Sequence, residues 1–535
     1  MESSNPRFTD RQALWRELEQ GEHAWDLIVI GGGIIGAGIL REAARRGLKA
    51  LLVEQQDFAW GTSSRSSKMI HGGLRYIAKG DLKLTRDSLQ ERERLLREAP
   101  GLIERMGYYF TLRKWRFPGR IPFGILLWIY DWLAGIKDHH FFRPDAVEQH
   151  YKGIDSTGLS GAMYYTDTVT DDARLVLRIL QDAIAAGGQA LNYARVESLL
   201  QDDGQVVGVV LENTEESTAL EVRARAVISA TGAWADKLRN EVNPEKRIRP
   251  LRGSHLVFRT ERLPVADALT MLHPEDKRPV FIFPWEGTTV VGTTDLDHNA
   301  ALDEEPTITE EEVDYLLLVV DKLFPQHRIS REDVISTWSG IRPVIGSERS
   351  KNPSHERRDH AVWTDKGLVT VSGGKLTTFR LIALDALHAA AGTLGDPAVT
   401  EDTDAVFTTP TISAQDLDAD HDWAKRLIGR YGDRAKAILD SADSDDERRP
   451  IEGTGFCLAE CRWAARNEAV LHLDDLLLRR TRLGCLLEQG AASLFDPLQP
   501  ICAQELGWDD TRWQYETERY LQIWRDYYYL PVTGR

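Results

Sequence analysis

Three glycines in the order Gly31-x-Gly33-x-x-Gly36 constrain this 535-residue chain more than any other feature. They follow an apolar run at 27–30 and open an Ala/Arg/Leu-rich helical pattern that ends near 46. Gly47 and a second apolar run at 50–53 then lead to Glu54. This is the pattern of a βαβ unit. Glycines at these positions permit a tight turn, close backbone approach to a pyrophosphate and close packing of helix on strand, while the helix N-terminus presents free N–H groups to the phosphates. Glu54, 18 residues beyond Gly36, is placed to accept hydrogen bonds from a ribose hydroxyl. The glycines alone would be weak evidence; strand, helix and acid together predict dinucleotide binding.

The rest of the chain extends this reading. Residues 173–187 have a helical period, 205–212 and 221–229 read as strands, and Val227-Ile228-Ser229-Ala230-Thr231-Gly232 returns a strand to a glycine turn, favouring a parallel sheet. That turn supplies a second dinucleotide contact. With no second fingerprint apparent, FAD is favoured over NAD. Alternating runs between 247 and 298 suit an antiparallel sheet, assigned to a second domain that covers the substrate. Helical periods dominate beyond 400, at 422–440, 456–487 and 510–526, after a Thr/Pro segment at 407–412. Hydrophobic residues at 42% and charged residues at 28% fit a globular chain with a sizeable core, and a net charge of -17 argues against nucleic acid as the main partner. Cys457, Cys461, Cys485 and Cys502 lack zinc-ligand spacing, so reduced, mostly buried thiols and no metal are expected. Residues 1–24 are polar and mixed in charge, without the apolar core of a signal, which predicts a cytoplasmic catalytic body.

Beyond Glu54 comes Thr62-Ser63-Ser64-Arg65-Ser66-Ser67-Lys68-Met69-Ile70-His71-Gly72-Gly73-Leu74-Arg75-Tyr76, a run of hydroxyls and glycines suited to lining a ligand. Here the chain resembles the FAD-dependent glycerol-3-phosphate dehydrogenases. The resemblance continues through Asp171-Asp172-Ala173-Arg174-Leu175, Gly253-Ser254-His255, Gly292-Thr293-Thr294-Asp295, Ser339-Gly340-Ile341-Arg342-Pro343 and Ser372-Gly373-Gly374-Lys375-Leu376-Thr377-Thr378-Phe379-Arg380. It covers nearly the whole chain from residue 25, and Asp474-Asp475-Leu476-Leu477-Leu478-Arg479-Arg480-Thr481-Arg482 is similar to the family's C-terminal domain. The stretch 112–145 and the segment before Trp25 depart from the family pattern.

The resemblance implies an α/β fold: an FAD-binding Rossmann-type domain of the glutathione-reductase and amino-acid-oxidase kind, an antiparallel substrate cap and a C-terminal helical domain. The expected divisions are 22–100, 150–245 and 335–398 for the FAD domain, 101–149 and 246–334 for the cap, and 400–535 for the helices. It implies oxidation of glycerol 3-phosphate to dihydroxyacetone phosphate, with electrons passed to membrane quinone. The related oxidases typically carry an inserted segment not found here. An amine or amino-acid oxidase of the same architecture and a non-catalytic flavoprotein are the other readings, both disfavoured by the cations of the motifs. Implied FAD contacts are Gly31, Gly33, Ile35, Gly36 and Glu54; Thr62, Ser63, Ser64, Ser67, Lys68, His71, Gly72, Gly73 and Leu74; Val196, Ala230, Thr231, Gly232 and Trp234; and Arg342, Gly374, Lys375, Leu376 and Thr377.

Such a reaction needs a clamp for a dianion, a group to take the hydroxyl proton, and a flavin N5 beside the carbon that loses hydride. Arg342, Arg358, Arg75 and Lys375 are the candidate clamp, because guanidinium forks meet phosphate oxygens in pairs and Lys acts as a point charge. Tyr76 and Thr378 complete the expected substrate shell. His71 and His255 are the histidines inside motifs, and either takes the proton or hydrogen-bonds the hydroxyl, a role one of the clamp residues could share. Gly373-Gly374 precedes a helical pattern over 375–391 whose N-terminus would face the flavin N1/O2 edge.

One further segment stands apart. Residues 121–133 are strongly apolar, with Trp128, Tyr130 and Trp132, yet too short to span a bilayer, and Arg113, Lys114, Arg116 and Arg120 precede them. Docking on anionic lipid and a buried cap helix are both consistent with this pattern. With the family's quinone chemistry it gives an expected place at the inner face of the cell membrane. Oligomeric state stays open, a homodimer being one arrangement.

Overall fold

The computed structural model describes residues 8, 10–21, 24–77, 80–114, 118–346, 360–395 and 405–531, the side chains of Arg75 and Tyr76 excepted. The first sheet has the strand order His360–Asp365, Leu368–Gly373, Thr218–Ser229, Trp25–Ile30, Ala50–Val53, Gln189–Leu191. All neighbours along it are parallel except the first pair. Its strands read as unbroken apolar runs because both faces are covered. Leu27, Val29 and Leu52 pack with the helices Ile34–Arg45, Asp172–Ala185 and Phe379–Ala389 on one side. Ile28, Leu51 and Val53 meet, on the other, the strands Ala194–Asp202 and Gln205–Asn213 and the helix Arg11–Gln20 through Leu14, Trp15 and Leu18. That N-terminal helix lies in the segment expected only to be polar; Asp10 caps it by accepting from the Ala13 N–H at 3.0 Å.

The second sheet is mostly antiparallel, in the order Leu296–Asp297, Ile248–Arg259, Thr288–Gly292, Pro279–Trp285, Ala268–Leu272, Ile103–Arg113, Leu159–Thr170, Met69–Ile70. Val334–Ile345 pairs along Ile248–Arg259, and His140–Phe142 along Leu159–Thr170. Leu159–Thr170 and Val334–Ile345 therefore sit in the cap sheet, although they fall in stretches expected in the FAD domain. Their pairing partners are distant in sequence, Ile103–Arg113 for the one and Ile248–Arg259 for the other, which is why sequence order alone hides their membership. The helix Glu310–Leu323 covers one face through Val313, Leu316 and Val320. C-terminal residues such as Leu477, Cys485 and Tyr520 share a core with Val257, Phe283 and Trp338.

The C-terminal domain is helical, with His421–Tyr431, Arg434–Asp440, Leu458–Asn467, Phe495–Leu506 and Asp510–Tyr527 as its main helices. The stretch expected as one helical run at 456–487 is broken: a π-helical segment, Asp475–Arg480, ends where Arg482 adopts φ 64°. Those two arginines of the segment are spent on the first domain. Arg479 and Arg480 both bind Asp57, the latter through Nη1 at 2.6 Å and Nη2 at 2.8 Å, and Arg482 donates to the Ser64 carbonyl at 2.6 Å. Arg479, Arg480, Arg482 and Asp57 are all buried, and Arg174 forms a second clasp on Glu468 at 2.7 and 3.0 Å. The four cysteines are free and buried.

Candidate active site

A groove opens where the first sheet ends. Its wall includes Gly31, Gly33, Ile35, Glu54, Thr62, Ser63, Val196, Ala230, Thr231, Gly232, Trp234, Gly374, Lys375 and Leu376. The three fingerprint glycines serve different neighbours. A Cβ on Gly36 would collide with the Gly31 carbonyl oxygen, and one on Gly31, at φ 110°, would lie 2.7 Å from the Ala230 oxygen, so both positions are dictated by backbone packing. Gly33 differs: its φ is -81°, and a Cβ there would meet only Ser63, at 3.1 Å from Oγ. The protein leaves room at Gly33, as a cradle for a pyrophosphate requires. Ser63 also accepts from the Ile34 N–H at 3.0 Å, and no side chain of the cap residue itself closes the helix start. Glu54 accepts from the Gly32 N–H at 2.6 Å and the Gln56 N–H at 3.0 Å. Burial raises its proton affinity while these backbone bonds oppose the rise. The acid thus braces the glycine turn and still faces the groove.

The end of the groove is formed by Gly373 and Gly374, consecutive at φ 81° and 80°, and by Lys375 and Leu376. A short 3-10 turn, Leu376–Thr378, precedes the helix Phe379–Ala389, so the regular helix begins later than its sequence pattern suggests. Thr377 fastens this turn to the hydroxyl-rich loop, its Oγ1 accepting from the His71 N–H at 3.2 Å and donating to the His71 carbonyl at 3.3 Å. Lys375 Nζ donates to Ser88 Oγ at 3.0 Å. Thr378 is buried beside it.

Three motif segments converge in the second sheet. Strand pairing sets Gly253 opposite Gly340 and His255 opposite both Gly292 and Trp338. Arg342 reaches Asp295 Oδ1 at 3.3 Å and Thr293 Oγ1 at 3.2 Å and keeps 28% of its side chain exposed. His255 is buried, stacks on Trp338 at 5.1 Å between ring centroids, and shares a 2.9 Å hydrogen bond between Nε2 and Ser67 Oγ. Burial, then the charges of Arg342 and Lys68, push its proton affinity well below the ordinary histidine value, so the ring is neutral at pH 7. An anion held by Arg342 would remove part of that effect.

Other expected contacts lie deeper. Lys68 is buried, donating to Asp172 Oδ1 at 2.7 Å and to the Ser64 carbonyl at 2.6 Å, with Trp338 and Trp285 over its ammonium. Burial lowers its proton affinity to about 8. It stabilises the loop from behind rather than lining the groove. Ser64 is buried, and Gly72 donates to Tyr130 at 3.0 Å and Asp167 at 3.2 Å. Gly73 has φ 82°, which makes the turn into the helix Leu74–Ile77 that carries Arg75 and Tyr76. Arg358 lies outside the described residues. Sequence reasoning did not find Asp295, Thr293 and Ser88 as the partners of Arg342 and Lys375. The first two stood in a motif beside Gly292; Ser88, in the middle of an ordinary helix, gave no signal.

Known proteins share this fold. A family model described as FAD dependent oxidoreductase matches residues 26–384, and one described as the C-terminal domain of alpha-glycerophosphate oxidase matches 405–513. The aerobic glycerol-3-phosphate dehydrogenase of Bacillus subtilis is 32% identical over 98% of this chain and 98% of its own length. The chain belongs to the FAD-dependent glycerol-3-phosphate dehydrogenase family. It is an oxidoreductase with FAD as cofactor. Glycerol-3-phosphate dehydrogenase 2 of Mycobacterium tuberculosis is 35% identical over 93% of this chain and 87% of its own. The crystal structure of the Bacillus halodurans glycerol-3-phosphate dehydrogenase complexed with FAD superposes with a TM-score of 0.76, at 28% identity, covering 96% of this chain and 98% of that one. The L-alpha-glycerophosphate oxidase of Mycoplasma pneumoniae, at 18% identity and a TM-score of 0.55, shares the fold.

Proposed function

We propose that the enzyme oxidises sn-glycerol 3-phosphate to dihydroxyacetone phosphate and passes the electrons to membrane quinone. One observation carries the reading: Arg342, poised on Thr293 and Asp295, stands beside a neutral His255 in a chain matched end to end by relatives named for this substrate. Arg342, with Lys375 and the arginines at 75 and 358, is suited to hold the phosphate dianion. His255, hydrogen-bonded to Ser67, is the proposed acceptor of the hydroxyl proton, a role for which a bound dianion would offset the opposing charge of Arg342. His71, held at its backbone by Thr377, is the alternative acceptor. FAD, when bound along the groove, supplies the hydride acceptor at N5. Gly373, Gly374, Lys375 and Leu376, which lead into the 3-10 turn, line the groove, and their backbone N–H groups would stabilise a flavin edge that turns negative on reduction.

The quinone half of the proposal draws on the helix Arg120–Ala134. Phe123, Leu127 and Tyr130 are buried, whereas Ile121, Ile125, Trp128 and Trp132 are 76%, 57%, 61% and 69% exposed. Their spacing of four, three and four places them on one outer face. Such a face is suited to lie in a lipid surface rather than water. No helix among the described residues is long and apolar enough to cross a membrane. Lys114 is exposed near the start of this segment and Arg120 stacks on Phe141 at 3.9 Å, while Arg116 lies outside the described residues.

The acceptor is tested by steady-state turnover of glycerol 3-phosphate with a soluble quinone analogue and, separately, with air. Fast turnover with the quinone and slow turnover in air is expected. The reverse, with stoichiometric hydrogen peroxide, would make the enzyme an oxidase.

A further inference from the structure

We infer that Glu312, on the cap helix Glu310–Leu323, is a positioning residue that sets Arg342 and His255 in place for the substrate. The inference rests on the proposed function and adds a residue from outside every motif considered above. Glu312 is buried, and its carboxylate gathers four donors, two from the strand Ile248–Arg259, one from Thr294 and one from its own helix cap. Oε1 accepts from Ser254 Oγ at 2.9 Å and from Thr294 Oγ1 at 2.6 Å. Oε2 accepts from the Thr309 N–H at 3.0 Å and pairs with Arg252 Nη2 at 2.9 Å.

Two of these partners adjoin site residues. Ser254 precedes His255; Thr294 stands between Thr293 and Asp295, the two groups that hold Arg342. Ser254 Oγ also bonds Ser339 Oγ at 2.8 Å, joining the strand that carries Arg342, and the Ser254 N–H donates to Thr294 Oγ1 at 2.9 Å. Slack is small: a Cβ on Gly253 would lie 2.7 Å from Thr293 Oγ1 and 2.8 Å from Arg342 Nη2. A shift of Thr294 would therefore move both ligands of Arg342.

The proton arrangement demands a carboxylate. Thr294 receives the Ser254 N–H and gives its own proton to Glu312, while Thr309 and Arg252 can only donate. An amide in place of the acid either turns its NH2 toward Thr309 and Arg252, leaving buried donors face to face, or turns it toward Ser254 and Thr294 and forces both hydroxyls to reorient, and in either case it removes the charge paired with Arg252. Glutamine matches the size, so its effect reports charge and hydrogen bonding rather than a cavity.

The test is a cycle of Glu312→Gln, Arg342→Lys and the double variant in the flavin-loaded enzyme, reading kcat and KM for glycerol 3-phosphate with flavin content and Tm. Glu312→Gln is expected to lower kcat/KM by about tenfold, chiefly through KM, with flavin content unchanged, and by less than about twofold in the Arg342→Lys background. Parent-like kcat/KM in Glu312→Gln, or the same loss in both backgrounds, would overturn the inference and leave Glu312 a brace of the cap. Should Glu312→Gln fail to fold, Glu312→Asp, which keeps the charge but draws it back by one methylene, takes its place with the same KM-weighted loss expected and the same two results overturning it. A parent enzyme that does not turn over glycerol 3-phosphate would refute the proposed reaction itself, a result separable from any behaviour of the variants.

Discussion

Gly33 and Arg342 are residues whose surroundings define what replacing them should do. At Gly33 a side chain meets little but Ser63, so Gly33→Val should fold and yet lose FAD, its methyls filling the space of the pyrophosphate. The flavin-to-protein absorbance ratio of the purified variant checks this, and a parent-like ratio would contradict it. Arg342→Lys keeps a charge but loses the fork that now spans Thr293 and Asp295. Loss of one charge-assisted bond to phosphate is expected to cost roughly 1.5–3 kcal/mol, about ten- to hundredfold in kcat/KM. Oxidation of glycerol, which lacks the phosphate, should be far slower and nearly indifferent to the change. The glycine turn was legible because the fingerprint acts through local geometry, whereas Arg342 stood in a motif but its partners Thr293 and Asp295 come from a distant segment. Lys68 was less so: its place in a hydroxyl-rich loop suggested a ligand contact, but its partner Asp172 comes from the start of a distant helix and draws it inward.

Elements were legible where their period is undisturbed. The fingerprint βαβ unit and the strands between 247 and 298 follow the pattern of burial that makes them, whereas the run at 456–487 breaks because Arg479, Arg480 and Arg482 bind Asp57 and Ser64 across the domain boundary. Pairings over such separations leave no mark on local periodicity. Glu312 shows the same limit: with Thr309 it forms a capping box readable in sequence, but the box says nothing of where the rest of its carboxylate points. The last helix supplies a pH prediction. His472 bonds Glu516 of Asp510–Tyr527 at 2.9 Å and Glu215 of the first domain at 3.3 Å. Burial opposes its charge, but Glu215, Glu516 and Asp475 prevail over burial and the nearby Arg519, raising its proton affinity to about 10 from 6.5. The folded state therefore holds a proton that the unfolded chain releases above pH 6.5. This contribution is complete below about 6.5 and fades as pH rises through about 10. Urea midpoints should fall across that window in the parent and fall less in His472→Gln; parallel curves would contradict the assignment.

Across the whole molecule, two sheets and a helical domain pack together, the groove lies at the end of the first sheet, and one apolar helix face is left outside. Replacing Trp128 and Trp132 by Glu should abolish co-sedimentation with anionic vesicles while leaving oxidation of glycerol 3-phosphate with a soluble acceptor near the parent rate, since neither side chain reaches the groove. Undiminished binding to vesicles would assign that face another role. The sequence reading left this segment divided between lipid docking and burial, and the fold gives the helix a side for each: Leu127 and Tyr130 inward, the tryptophans outward. Anaerobic titration of the purified flavoprotein with glycerol 3-phosphate tests the proposed reaction itself. The account predicts that the flavin absorbance bleaches with one dihydroxyacetone phosphate formed per flavin reduced, and that glycerol at the same concentration leaves the spectrum nearly unchanged. A flavin that stays oxidised in excess glycerol 3-phosphate would contradict it.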